Sequence, residues 1–573
     1  MITDIDFQIM WNRLISVVEE QAQTLIRTAF GTSTREAGDL SAGVYDRRGQ
    51  MIAQAVTGTP GHVNSMARTV GHVLAKFPAG AMREGDVFIT NDPWMGTGHL
   101  NDIVVVTPAH LDGRLVGFFA CTLHVVDIGG SGSSRSFQVY EEGIRIPIVR
   151  LVEAGTFSET LLDTIRANVR EPVEVLGDIR SEVAANAVAC RRLERMMREF
   201  GLSDLEALSD YILTRSKQAI LARIRALPRG TYENRMTTDG ITGPITLKAR
   251  VTVGEDGLDV EYLDCPPVVE LGFNVPYCYT DAYTCFGLHC VVAADVPNNA
   301  GSLSAIRVHV PENTMLNAPD PAPVTSRALM GQLLPDLMLG CLAQIVPEKV
   351  MAEGAARLWS IGIAGGLGRV KADPALLSGS RSFEVSVFQS GGMGARYAQD
   401  GLSATAFPSG VRNISVELTE TYAPVVFRRK EYRQDSGGPG RCRGGLGQSI
   451  EIAGTGALPF AVSTSFDRIR FPARGRAGGH PGACGHLAKS TGEVLPGKGY
   501  HQIDPGESIV IEIPGGGGYH DPLTRDPDLV ARDVRNGLVS ADQARAAYGV
   551  ALTAEGAVDA EATRSLRAGA GAA

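Results

Sequence analysis

The stretch Asn91-Asp92-Pro93-Trp94-Met95-Gly96-Thr97-Gly98-His99-Leu100-Asn101-Asp102-Ile103-Val104-Val105-Val106, with its sequel His124-Val125-Val126-Asp127-Ile128-Gly129-Gly130, organises the reading of this chain. Two H-x-x-D tetrads, His99 to Asp102 and His124 to Asp127, bracket a segment that reads as a β-hairpin. Ile103 to Val106 is strongly β-prone, Asp112-Gly113 favours a tight primed turn, and Leu115 to His124 is the return strand. With Asp112 and Gly113 as the two turn residues, Leu111 faces Arg114 and, counting back, Asn101 faces His124. Side chains alternate faces, so His99, Asn101 and His124 project to one side. Asp102 would point the other way on an ideal strand, unless Pro93, Gly96 and Gly98 hold the chain in a loop until Ile103. Two imidazoles with one or two carboxylates at the open end of a hairpin form a candidate divalent-metal site. The competing reading is a set of ordinary hydrogen-bonding histidines. The chain has only eleven histidines, and two of them at the ends of one hairpin add weight to the metal reading.

At 573 residues the chain exceeds a single core, and several domains are expected. A hydrophobic share of 44% and a charged share of 20% are those of a globular protein. A net charge of −9 argues against a nucleic-acid surface, which needs clustered Lys and Arg. The exception is Asp467-Arg468-Ile469-Arg470-Phe471-Pro472-Ala473-Arg474-Gly475-Arg476, read as a loop or a partner-facing patch. The nine cysteines are scattered without a C-x-x-C, as reduced cytosolic thiols would be. The first residues lack a basic signal region, and no apolar run reaches the ~20 residues of a membrane span. The expectation is a soluble cytoplasmic protein without membrane or nucleic-acid contacts.

The pattern along the chain is α+β and multidomain, with the metal-binding hairpin at its centre. An amphipathic helix from Asp4 or Asp6 to about Phe30 leads through a loop to strands Ala42 to Tyr45 and Met51 to Val56. Asp39, at the loop–strand junction, is a further candidate carboxylate or else a turn residue. A second helix starts at His62, strand Gly85 to Thr90 enters the central stretch, and Gly129 to Ser134 forms a polar loop. Glu142 is a candidate general acid or base. Ser158 to Leu227 is helical, Gly230 to Asp264 is β-rich, and Asn274 to Val292 and Ser326 to Leu342 are helical, the latter broken near Pro335. The expected domains are an N-terminal metal-site domain over 1–229, a mixed middle domain over 230–420, a β-rich domain over 421–523 and a helical tail over 524–573, unstructured from about Ala560. Ser436 to Gly445 is read as an anion cradle, and Pro514 to Tyr519 as a tight backbone crossing. Gly492 to Gly499 nearly spells a phosphate-binding loop. It lacks the Ser or Thr that would hold Mg²⁺ and leads into no helix, so it is rejected. With no G-x-S-x-G, no H-E-x-x-H and no dinucleotide fingerprint, the central metal is the best source of chemistry.

Several of these pieces together resemble one family. They are Arg35-Glu36-Ala37-Gly38-Asp39-Leu40-Ser41, Asn91 to Asp102, Asp127 to Gly130, Glu142 to Pro147, Val296 to Asn299, Ser436 to Gly447, Pro514 to Asp521 and Gly537 to Ser540. Over nearly its whole length the chain resembles the hydantoinase B/oxoprolinase family. These are subunits of ATP-dependent hydantoinases and lactamases, halves of 5-oxoprolinases, and subunits of acetone and acetophenone carboxylases. The resemblance implies a Zn²⁺ or Mn²⁺ ion held by His99, Asp102 and His124, with Asp39 as a further carboxylate. Asp127 would be a base or a partner to a metal-bound histidine. The family's first tetrad usually carries Pro where Asn101 stands, and its second a His where Val125 stands. The resemblance also implies a partner, an actin-like ATPase subunit of the hydantoinase A type carrying ATP and Mg²⁺. That partner phosphorylates a small cyclic amide, and the two form a hetero-oligomer such as a dimer of heterodimers. The implied activity is opening of a hydantoin, 5-oxoproline or lactam ring. The alternatives are a ketone carboxylase subunit and a non-catalytic structural subunit.

Overall fold

The computed structural model describes residues 3–131, 136–240, 243–366, 370–372 and 382–570. The polar loop expected over Gly129 to Ser134 lies partly outside the described residues. The fold is α+β and multidomain, in two compact units. The first takes in residues 1–235, 247–345 and 409–411; the second takes in 236–246, 346–408 and 412–573.

The first unit is built on a seven-stranded sheet. Its strands are β1 (Leu40–Asp46), β2 (Met51–Gln54), β3 (Val87–Thr90), β4 (Asp102–Leu111), β5 (Arg114–His124), β6 (Val149–Glu153) and β7 (Thr156–Phe157), in the order β2-β1-β5-β4-β3-β6-β7. Every neighbouring pair is antiparallel. The unbroken run Ile103 to Val106 follows from burial on both faces. Ile103 and Val105 pack with helices Asp4–Thr28 and Pro172–Phe200, while Val104 and Val106 pack with helix Pro60–Lys76. Each such branched side chain contributes about 1.5–3 kcal/mol when fully buried. Thr3 caps the first helix reciprocally with Asp6, and Met10, Leu14 and Val18 form its buried stripe.

The hairpin differs from the simple count in one residue. Asp112 (φ 49°) and Gly113 (φ 76°) form the turn, and Leu111 faces Arg114. Leu115 then pairs with His110 but Gly117 with Ala109, so Val116 is a bulge. From there the register is shifted, and His124 faces Asp102, not Asn101. This corrects the expectation that Asp102 would need an irregular strand to reach the histidines. His99 precedes β4, in a turn, and is not on the strand.

The helical reading of Ser158 to Leu227 resolves into Glu159–Asn168, Pro172–Phe200 and Glu206–Arg225. Gly230–Thr238, Ile245–Val253, Leu258–Leu263 and Ile306–His309 form a four-stranded sheet. Helix Tyr277–Val292 packs against helix Pro60–Lys76 and against Leu334–Leu342. The break expected at Pro335 falls just before it. Pro335 sits in the first turn of Leu334–Leu342, where its missing N–H costs nothing.

The second unit holds two four-stranded antiparallel sheets. Between their strands, glycine-rich segments run backbone against backbone. A Cβ at Gly444 would lie 1.9 Å from the Gly516 carbonyl oxygen, and one at Gly515 1.9 Å from that of Ser436. Ser436 to Gly445 is therefore a backbone crossing and not an anion cradle; the Gly438 N–H donates to the Gly516 carbonyl, and the Gly516 N–H donates to that of Gly445. The arginine-rich segment is a loop whose arginines pair with carboxylates of this chain. Arg468 and Arg474 hold Glu353, and Arg470 holds Asp239. Lys498, in the rejected phosphate-like loop, opens strand Lys498–Ile503 and pairs with Asp467 at 2.8 Å. The tail expected to be unstructured from about Ala560 is helical over Ala560–Ala570, where Ala, Glu and Arg outweigh Gly. No described helix is long and apolar enough to cross a membrane.

Candidate metal centre at the hairpin mouth

Three of the expected residues meet at the open end of the β4–β5 hairpin. Ligand atoms of His99, Asp102 and His124 all lie within 4.8 Å of one another. The bulge places Asp102 opposite His124, and Asp102 Oδ1 is 3.0 Å from His124 Nδ1. His99 reaches the same oxygen from its turn, its Nε2 2.7 Å away. Gly98 permits that turn: its φ is +98°, and a Cβ there would lie 2.6 Å from Arg327 Cδ. The two imidazoles sit with centroids 5.2 Å apart.

His99 Nδ1 is 3.2 Å from the Thr325 carbonyl oxygen. That carbonyl accepts the Nδ1 proton, which leaves the lone pair of Nε2 turned toward Asp102. Nε2 is buried with no hydrogen-bond partner of its own. Burial, and then the charge of Arg327, push the His99 pKa down to about 4, so the ring is neutral near pH 7. A neutral imidazole, a carboxylate oxygen and a second imidazole nitrogen converging on one point fit a divalent metal ion.

Asp102 is fully buried. Burial alone would raise its pKa, but the surrounding histidines and the Arg327 guanidinium hold it well below the usual carboxylate range. Burial lowers His124, yet its hydrogen bond to Asp102 carries it above the ordinary histidine value.

Asp39 stands beside the cluster and not in it. Its Oδ1 accepts from Thr59 Oγ1 at 2.9 Å and lies 3.6 Å from His62 Nδ1, while its backbone carbonyl receives the His124 N–H. Asp127 makes no hydrogen bond or ion pair to either histidine. Its carboxylate is taken by Arg170, by the amides of Gly129 and Arg170, and by that of Glu171 ahead of helix Pro172–Phe200. It ties the loop to that helix, as an N-terminal carboxylate does. Glu142 is buried, and its Oε1 accepts from the amides of Val324 (2.7 Å) and Thr325 (2.9 Å). It therefore fixes the segment whose Thr325 carbonyl holds His99. Burial raises the Glu142 pKa to about 7, and its Oε2 has no hydrogen-bond partner.

Sequence reasoning missed His62, Thr97, Thr325 and Arg327. Thr97 lay inside the decisive stretch, but its hydroxyl gave no sign of reaching Asp102. The other three come from distant segments, and no spacing rule links them to the hairpin.

A family model described as hydantoinase B/oxoprolinase matches residues 3–522. Caprolactamase subunit beta of Pseudomonas jessenii is 29% identical over 573 residues, covering 96% of this chain and 96% of that protein. The crystal structure of the ATP-dependent caprolactamase from Pseudomonas jessenii superposes with a TM-score of 0.87 at 29% identity, covering 99% of this chain and 100% of that one. A nucleotide-free acetone carboxylase structure shares the fold, with a TM-score of 0.85 at 20% identity over 99% of this chain and 82% of that one.

Proposed function

Since this chain belongs to the hydantoinase B/oxoprolinase family, we propose that it is the metal-bearing subunit of an ATP-dependent cyclic amide hydrolase. The observation that carries the reading is the end-to-end likeness to an ATP-dependent caprolactamase. The caprolactamase relative is named as a subunit, and the chain is taken to work with an actin-like ATPase subunit in a cytoplasmic hetero-oligomer, such as a dimer of heterodimers. ATP and Mg²⁺ belong to that partner, which converts the ring amide of a hydantoin, 5-oxoproline or lactam into a phosphorylated form with a good leaving group.

His99 and His124 offer ring nitrogens, and Asp102 offers Oδ1, to one divalent ion, Zn²⁺ or Mn²⁺, with Asp39 adding negative charge beside His124. When bound, such an ion supplies Lewis acidity and water activation for opening the activated ring. The Thr325 carbonyl keeps the His99 proton on Nδ1, so Nε2 stays a donor to the ion. Glu142 holds that carbonyl in place and exchanges a proton near neutrality, which suits a general acid or base. Asp127, placed by the sequence reading as a base, is engaged by Arg170, and its role passes to Glu142.

The test is turnover by the purified complex with its ATPase partner, offered hydantoin, 5-oxoproline and a lactam with ATP. ATP-dependent ring opening that disappears on chelation is expected. Turnover only of a ketone with bicarbonate would make the chain a carboxylase subunit instead. No turnover of either kind, with full complex assembly, would make it a structural subunit.

A further inference from the structure

Asp102 uses its two oxygens differently. Oδ1 faces His99 and His124. Oδ2 accepts from Thr97 Oγ1 at 2.7 Å and from the Arg327 guanidinium, and His62 Nε2 lies 2.9 Å from it. A carboxylate oxygen has two lone pairs, so two hydrogen bonds and the His62 ring against it leave Oδ2 nothing to offer a cation. We propose that His62 is a positioning residue that, with Arg327, locks Oδ2 away and presents Oδ1 alone to the metal. The inference rests on His99, Asp102 and His124 being the ligands.

The surroundings of His62 fit a fixed clamp. The ring is buried at the start of helix Pro60–Lys76. Gly61 before it admits no side chain, because a Cβ would lie 2.4 Å from the Tyr283 ring and 2.8 Å from that of Tyr279. Tyr279 also carries the Arg327 guanidinium, 3.9 Å over its ring. One aromatic pair thus sets both clamping groups. Arg327 is further pinned through Nε to the Thr97 carbonyl at 2.6 Å. On its far side the His62 ring meets Asp39 Oδ1 at 3.6 Å, so it stands between two carboxylates and stops either from rotating into its place. Arg327 neutralises charge; His62 sets a ring nitrogen against Oδ2 and so restricts rotation of the Asp102 carboxylate. Partners of this kind typically change metal affinity roughly 10–100-fold when removed.

The experiment is Zn²⁺ affinity of the full chain, measured by competition with a chromophoric chelator. Wild type, His62→Ala, His62→Leu and His62→Gln are compared, each checked for its thermal unfolding midpoint. His62→Ala and His62→Leu are expected to bind Zn²⁺ roughly 10–100-fold more weakly. His62→Gln, whose amide can donate to Oδ2, should recover most of that loss. If His62→Ala does not fold, His62→Leu against His62→Gln decides, since both fill the space and only one donates. Binding within threefold of wild type in the alanine or leucine variant would overturn the clamp. So would a glutamine variant no better than leucine. A wild-type chain that binds no Zn²⁺, or whose binding survives His99→Ala, would instead overturn the ligand assignment, and the clamp with it.

Discussion

The two H-x-x-D tetrads look alike in sequence and do opposite things in space. In the first, the chain turns tightly between His99 and Asp102, and the two side chains meet at 2.7 Å. In the second, His124 ends β5 while Asp127 lies beyond the strand, where it binds Arg170 and the amides before helix Pro172–Phe200. One tetrad concentrates polar groups on a buried point, a costly arrangement unless something occupies it. The other spends its carboxylate on joining two elements. A four-residue pattern specifies residue types, and the backbone between them decides whether they converge.

The largest expected difference between the tetrads lies in their aspartates. Asp102→Ala leaves Arg327 buried without its carboxylate, so chemical denaturation should show a loss of about 3–5 kcal/mol together with loss of bound metal. A variant that kept both would remove Asp102 from the centre of the site.

Glu142 sharpens the first tetrad through Thr325 and His99. Its pKa stands at about 7 against the ordinary 4.5 because of burial. The folded state thus holds this proton more tightly than the unfolded chain. The stabilisation it brings is complete below about pH 4.5 and is lost as pH rises through about 7, a span of roughly 3 kcal/mol. Glu142→Gln should flatten that part of the stability–pH curve. An unchanged slope between pH 5 and 7 would show that Glu142 is not the group holding the proton.

The smallest effect belongs to the second tetrad. Asp127→Asn should lower stability by about 1 kcal/mol, the scale of a lost helix-end carboxylate, and leave metal affinity untouched. A clear drop in metal affinity would erase the contrast between the tetrads and return Asp127 to the site.

Much of this was legible in advance. The β-run Ile103 to Val106, the Asp112-Gly113 turn and the helix from Asp4 announce themselves through periodicity and turn chemistry. His99 and His124 followed from proximity along one hairpin, while Asp102, which the simple register turned away, came from the family resemblance. Three features did not. The Val116 bulge moves the register by one residue, and its one local sign is the lone Gly117 beside it, which also serves close approach to the Tyr45 carbonyl. His62 and Arg327 reach Asp102 only through the packing of helix Pro60–Lys76 and the Tyr279 ring. The Ser436 to Gly445 segment carries the composition of an anion-binding loop, yet its glycines serve close backbone approach, which composition cannot tell apart.

The central claim is that His99, Asp102 and His124 hold a divalent ion. The most direct test is elemental analysis of the purified chain beside its His99→Ala/His124→Ala variant, both confirmed as folded. The account predicts about one Zn or Mn per chain in the first and none in the second. Metal absent from both, or retained in the variant, would contradict it.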